Sequence, residues 1–154
     1  MRGVSGGKIF EMTIRRMETG DIPEVLSLEE KCFAHPWTKE ILEGLINDEG
    51  KIALVAAENS GFAGYISASV VLDEAELGNL AVTEKYRRQG IGEALMKALT
   101  DAAKTRGVRK LFLEVEDGNE AAARLYGKLG FEEYGLRKDY YGPGRHAHLM
   151  VSYF

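Results

Sequence analysis

Arg87-Arg88-Gln89-Gly90-Ile91-Gly92 stands between a strand-like run and the clearest helical pattern in the chain, and its reading decides the fold. Upstream, Glu74 to Val82 reads as a strand interrupted at Gly78, where a β-bulge is expected. Downstream, Gly90 to Arg106 puts Leu95, Met96, Leu99 and Ala103 on one helical face, with Gly107 as the stop. A helix N-terminus offers backbone N–H groups without partners and the positive end of the helix dipole. Gly90 and Gly92 have no side chain to hold a phosphate away from those groups, and Arg87 and Arg88 add positive charge at the same mouth. The plain alternative is a tight turn with solvated arginines. The strand before the loop and the helix after it favour a phosphate site. No Gly-Lys-Ser or Gly-Lys-Thr is present, and no third glycine falls at dinucleotide spacing, so neither nucleotide pattern fits.

Working outward, Thr13 to Met17 reads as a short strand, followed by a helix from Asp21 with Pro23 in its first turn. Thr38 is placed to cap a second helix carrying Ile41, Leu42, Leu45 and Ile46. Ile52 to Glu58 and Phe62 to Leu72 are strand-like runs joined by the hairpin signal Asn59-Ser60-Gly61. After the long helix come a buried-type strand, Leu111 to Val115, and a helix, Asn119 to Leu129, ended by Gly130. Two strands close the chain, Phe131 to Leu136 and His146 to Tyr153. The order predicts one mixed α/β domain over residues 12–154, with the Gly-rich residues 1–11 as a flexible leader.

Composition narrows the function classes. Hydrophobic residues at 45 % and charged residues at 29 % suit an ordinary globular domain with one core. A net charge of -4, with the two signs interleaved, gives no basic field for nucleic acid or an anionic membrane. Cys32 is the single cysteine, so no internal disulfide forms, and a reducing, cytoplasmic setting is expected. No apolar run approaches the roughly 18 residues of a membrane span.

One residue stands out as a candidate for proton transfer. Glu114 interrupts the apolar run Leu111-Phe112-Leu113-Glu114-Val115, where partial burial would raise its pKa and suit it to accept a proton. The competing reading puts Phe112, Glu114 and Glu116 together on a solvent-facing side of the strand. Tyr126, between Leu125 and Leu129, is by position alone more often core filler than catalyst. Asn119 is an ordinary helix N-cap by position. His146 and His148 alternate on one strand face, but with no third ligand a metal site is weak, and no metal is expected. Cys32, at an apolar helix end, reads as a buried inert thiol.

Leu80-Ala81-Val82 followed by Arg87-x-x-Gly90-x-Gly92 resembles the acetyl-coenzyme A motif of the Gcn5-related N-acetyltransferases. Later segments are similar to the RimI-type ribosomal-protein-alanine N-acetyltransferases of that superfamily. They are Leu113-Glu114-Val115, Asn119-Glu120-Ala121-Ala122, Leu125-Tyr126 and Leu129-Gly130-Phe131, with Phe33-x-x-Pro36-Trp37-Thr38 earlier and Tyr140-Tyr141 near the end. The resemblance covers the chain from Met12 onward. It implies a mostly antiparallel twisted sheet of about six to seven strands flanked by about four helices, with the cofactor lodged where two parallel strands part.

The resemblance also implies the site. Leu80, Ala81 and Val82 would hold the thioester through main-chain groups. Arg87, Arg88, Gln89, Gly90, Ile91, Gly92 and Glu93 would cradle the pyrophosphate, and Asn119 would contact the coenzyme. Glu114 takes the role of general base and Tyr126 that of general acid, while Trp37, Tyr140 and Tyr141 become candidates for the acceptor wall. The co-substrate is acetyl-CoA. The acceptor is the N-terminal α-amine of a protein, with a ribosomal protein beginning in alanine as the expected target. An α-amine, with a pKa of about 7.7–8.0 against about 10.4 for lysine, is also the more readily neutral nucleophile near pH 7. One stretch departs from the pattern: Arg145-His146-Ala147-His148 replaces residues that are commonly acidic. Acetylation of a small amine such as a polyamine or aminoglycoside is the second enzymatic reading. A non-catalytic coenzyme A sensor is a third, against which the presence of both Glu114 and Tyr126 counts.

Overall fold

The computed structural model describes residues 12–59 and 61–154. The expected leader over residues 1–11, and Ser60 of the expected hairpin turn, lie outside the described residues. The chain begins with β1 (Thr13–Arg16), α1 (Ile22–Cys32) and α2 (Lys39–Asn47), followed by the meander β2 (Lys51–Glu58), β3 (Gly61–Val71) and β4 (Glu74–Val82). Then come α3 (Ile91–Thr105), β5 (Lys110–Glu116), α4 (Glu120–Lys128), β6 (Glu132–Gly142) and β7 (Arg145–Tyr153). Pro23 sits in the first turn of α1, where its missing N–H is not needed. Thr38 caps α2 as expected, its hydroxyl accepting from the Ile41 N–H at 3.3 Å. Among the described residues no helix is long and apolar enough to cross a membrane.

The seven strands form one sheet in the order β1-β2-β3-β4-β5-β7-β6. Every pairing is antiparallel except β4 with β5, for which α3 is the crossover. Helices α1 and α2 cover one face, with Val25, Leu28, Leu42 and Leu45 against Val55 and Tyr65. Helix α3 covers the other, where Leu95, Met96 and Leu99 meet Ile52, Leu54, Ile66 and Leu111. From α4, Tyr126 joins this second cluster.

The bulge expected at Gly78 is present. Ile66 pairs with Leu80 but Ala68 pairs with Leu77, so Gly78 and Asn79 together oppose Ser67. The extra residue inverts the alternation of β4. Ala75 and Leu77 belong to the α3 face before the bulge, whereas Leu80 and Val82 do so after it, and Ala81 turns to the α1 side. β6 runs to Gly142, beyond the expected end at Leu136, because the strand resumes after a wide bulge. Arg137 pairs with Ala147 and Gly142 with Arg145, leaving residues 138–141 opposite His146 alone. Asp139 takes a positive φ of 57° there, and its N–H donates to His146 Nδ1 at 2.9 Å.

Candidate active site

The β4–β5 ladder lasts only from Glu74↔Lys110 to Glu76↔Phe112; beyond it the two strands part. The opening is where two parallel strands present their C-terminal ends, the place where open α/β sheets bind ligands. Two cavities meet at it. One, of about 350 Å³, is bounded by Leu80, Val82, Arg88, Gly90, Gly92 and Leu125. The other, of about 800 Å³, runs past Leu80, Glu114, Tyr126, Tyr140, Tyr141 and Trp37. Leu80 and Ala122 border both, so the pair forms one continuous path along the parting strands.

At the smaller cavity, α3 begins after Gly90 with no side chain capping its first N–H groups. Gly90 has φ 82°, a left-handed conformation that costs a Cβ-bearing residue dearly, and Arg88 precedes it at φ 62°. The space beside Gly92 is open to within 4.0 Å of Leu125 and Val82 side chains. Unpaired N–H groups, a dipole end and glycines at the mouth fit a pyrophosphate. The side chains expected here divide. Arg87 turns back, its Nε donating to the Val82 carbonyl at 3.0 Å and a terminal nitrogen 3.5 Å from Cys32 Sγ. Gln89 donates to the Lys85 carbonyl at 3.3 Å. Glu93 bonds Lys97 at 3.1 Å and Lys128 at 3.0 Å, tying α3 to α4. Ala81 is buried on the far face of the sheet. Ala81, Gln89 and Glu93 line neither cavity.

At the larger cleft, β5 alternates Leu111, Leu113 and Val115 into the α3 core, which sends Glu114 to the opposite side. That side is a cleft wall here, and Glu114 is half-buried in it rather than turned to open solvent. Burial, and then the nearby Glu76 carboxylate, raise its carboxyl above the ordinary 4.5, while Arg137 and a hydrogen bond from Tyr140 oppose them. Tyr126 reaches the opening from the other face of the sheet. Its ring meets Phe131 edge-on at 5.8 Å, and burial pushes its hydroxyl up to about 12. The β6 bulge carries Tyr140 and Tyr141 into the lining, their rings edge-to-face at 5.0 Å. Tyr141 is also pushed up to about 12, by burial and by the Glu114 carboxylate. Asn119 caps α4, its Oδ1 accepting from the Ala122 N–H at 3.2 Å, and borders the same cleft.

Three details depart from or extend the sequence reading. Cys32 is not buried out of reach: it is half-exposed, lines the cleft and lies beside Arg87. The histidines bond to different partners. His146 fastens the β6 bulge, and the His148 ring nitrogens lie 2.9 Å from Glu133 and 2.8 Å from Asp117. The cation of Arg145 is spent locally, in paired bonds of 2.7 and 2.8 Å to Glu116. Glu76 and Lys51 also line the cleft, and neither carried a signal in the sequence beyond an alternating strand.

Residues 22–131 match the model of the family described as "Acetyltransferase (GNAT) family". The chain is 40 % identical over 129 residues to the [ribosomal protein bS18]-alanine N-acetyltransferase of Escherichia coli K12, covering 84 % of this chain and 86 % of that one. It is 34 % identical over 146 residues to the enzyme of the same name from Haemophilus influenzae, covering 91 % and 97 %. The crystal structure of the Escherichia coli ribosomal-protein-S18-alanine N-acetyltransferase superposes with a TM-score of 0.83 at 36 % identity, covering 92 % of this chain and 93 % of that one. Arabidopsis thaliana NAA60 in complex with acetyl-CoA shares the fold, with a TM-score of 0.84 at 19 % identity over 93 % of this chain and 98 % of that one. With its parting parallel strands and glycine-mouthed helix, the chain belongs to the GNAT family and is an acetyltransferase of the RimI type.

Proposed function

We propose that this enzyme acetylates the N-terminal α-amine of a protein, and that a ribosomal protein beginning with alanine is its acceptor in the bacterial cytoplasm. The observation that carries the reading is the placement of Glu114 and Tyr126 at one gap in the sheet, reached from opposite faces. The similarity to alanine N-acetyltransferases supports the acceptor class. Bound acetyl-CoA supplies the acetyl thioester; the rest is done by the chain. The first-turn N–H groups of α3 and Arg88 hold the pyrophosphate, and the main chain at Leu80–Val82 aligns the pantetheine arm. Glu114 draws the proton from the arriving ammonium, a task its raised pKa favours. Tyr126, at about 12, keeps its proton through the neutral range. Against a thiol of about 8.5, complete transfer from that hydroxyl is uphill in the ground state. It therefore donates as negative charge builds on sulfur. Trp37, Tyr140 and Tyr141 form the wall along which the acceptor chain leaves the cleft.

Glu114→Gln tests the base. The variant should be slow near pH 7 and recover as the free amine becomes abundant, from about pH 8 for an α-amine and about pH 10 for lysine. Its stability should move the other way. A carboxyl raised above 4.5 in the folded state opposes folding as pH rises past that value, so Gln should melt no lower than the parent at pH 7. A pH–rate curve matching the parent's, with chemistry rate-limiting, would return Glu114 to an ordinary strand residue.

A further inference from the structure

Glu29 is completely buried, yet it takes no part in the proton transfers described above. Burying a carboxylate is costly unless its oxygens are bonded, and those of Glu29 gather three donors from three parts of the chain. Oε1 accepts from the Trp37 N–H at 2.8 Å, in the segment between α1 and α2. Oε2 accepts from Asn79 Nδ2 at 2.8 Å, on the β4 bulge, and from the Tyr65 hydroxyl on β3. The bulge is held a second time, the Asn79 N–H donating at 3.2 Å to Ser67 Oγ, which is itself buried.

Trp37 and Asn79 both line the large cleft, and Leu80, the next residue, borders the passage between the two cavities. The indole is laid directly on the bulge: a Cβ added at Gly78 would come within 2.9 Å of Trp37 Cη2 and 2.5 Å of Ser67 Oγ. A hydrophobic side chain of similar volume would hold a core at least as well as a buried charge. What a carboxylate adds is direction, because it fixes the Trp37 amide and the Asn79 side chain relative to one another. We infer that Glu29 is a positioning residue that sets the spacing between the Trp37 wall and the bulged β4 main chain, so that the acceptor amine meets the thioester in line with Glu114. The inference rests on reading this cleft as the acceptor site.

Glu29→Gln in the full chain is the test. Glutamine keeps the volume but turns one accepting oxygen into a donor, so it cannot accept from all three partners. Trp37 is the only tryptophan, so its emission reports the wall without any turnover. The expected result is an acetyl-CoA KM within about twofold of the parent, kcat/KM for an alanine-starting peptide down about 10-fold or more, and a red-shifted Trp37 emission. Adding Asn79→Asp to Glu29→Gln restores a carboxylate–amide pair and should recover part of the loss. Asn79→Asp alone sets two carboxylates against each other and should be the slowest of the three. Should Glu29→Gln fail to fold, Asn79→Ser, which deletes only the amide at the wall, carries the same expectation. A lower melting temperature with unchanged acceptor kinetics and unshifted emission would make Glu29 a structural clamp only and overturn the inference. If the parent itself ignores the alanine peptide, the acceptor reading fails. Glu29 is then judged by Trp37 emission alone, and an unshifted spectrum overturns the inference.

Discussion

Tyr126 shows what a single residue discloses and what it conceals. Its place between Leu125 and Leu129 is that of a core residue, and its ring does pack in the core against Phe131. Only the resemblance to a known family marked its hydroxyl; the residue itself lines the large cleft. Tyr126→Phe keeps the ring and loses the proton. Turnover should fall about 10²-fold or more with the melting temperature nearly unchanged, as single-turnover rates and a thermal melt would record. A variant as fast as the parent would leave Tyr126 as packing. Glu114 was more legible, since a carboxylate inside an apolar strand is an anomaly at once. What the alternation of Phe112, Glu114 and Glu116 could not tell was whether that face meets water or a cleft. Glu29 went unread although a signal existed. It shares the helical stripe of Val25, Leu28 and Cys32, so an acid there had to be buried and bonded.

Among the elements, the start of α3 and the loop before it were the most legible, because glycines, basic residues and a strong helical period coincide. The end of β6 was the least legible. Its bulge places polar and aromatic residues out of alternation, and what holds it is a bond from the Asp139 N–H to His146 that no local pattern announces. The structure also decides which glycine probes the phosphate site. Gly90 needs its positive φ, so any replacement there strains the backbone, whereas Gly92 has ordinary backbone angles and open space. Gly92→Val should fold yet bind coenzyme A at least about 10-fold more weakly by calorimetric titration, because the branched side chain fills the mouth of the helix. Unchanged affinity would reject the phosphate assignment. Farther along, His148 clamps the β5–α4 loop to β6. Hydrogen bonds to Asp117 and then Glu133 raise its pKa above 6.5. A raised folded value means that the support is complete below about 6.5 and fades as pH climbs through the folded pKa. The melting-temperature gap between the parent and His148→Gln should therefore be widest in mild acid and narrow as the pH rises through that folded pKa. A gap that does not vary with pH would show that the charge of His148 contributes nothing.

For the whole molecule, the order of strands and helices gave a mixed α/β domain and the family likeness a mostly antiparallel sheet, but neither reading put β7 between β5 and β6. Local patterns carry no term for which distant strands meet, and the site exists only because β4 and β5 meet for three residues and then separate. The cleft made there combines the acids Glu76 and Glu114 with an aromatic wall, while Arg145 and Glu116 cancel each other. The departure at Arg145–His148 thus adds little free positive charge to the cleft and does not oppose the peptide amine proposed as acceptor. The central claim is acetylation of a protein α-amine, and competition between acceptors tests it directly. The purified enzyme, with acetyl-CoA, would be offered equal amounts of an alanine-starting ribosomal-protein peptide, the same peptide blocked at its N-terminus but carrying an internal lysine, and spermidine, with products resolved by mass spectrometry. The account predicts acetylation of the free alanine amine at least about 10-fold faster than either competitor; preferential acetylation of the lysine or of spermidine would contradict it.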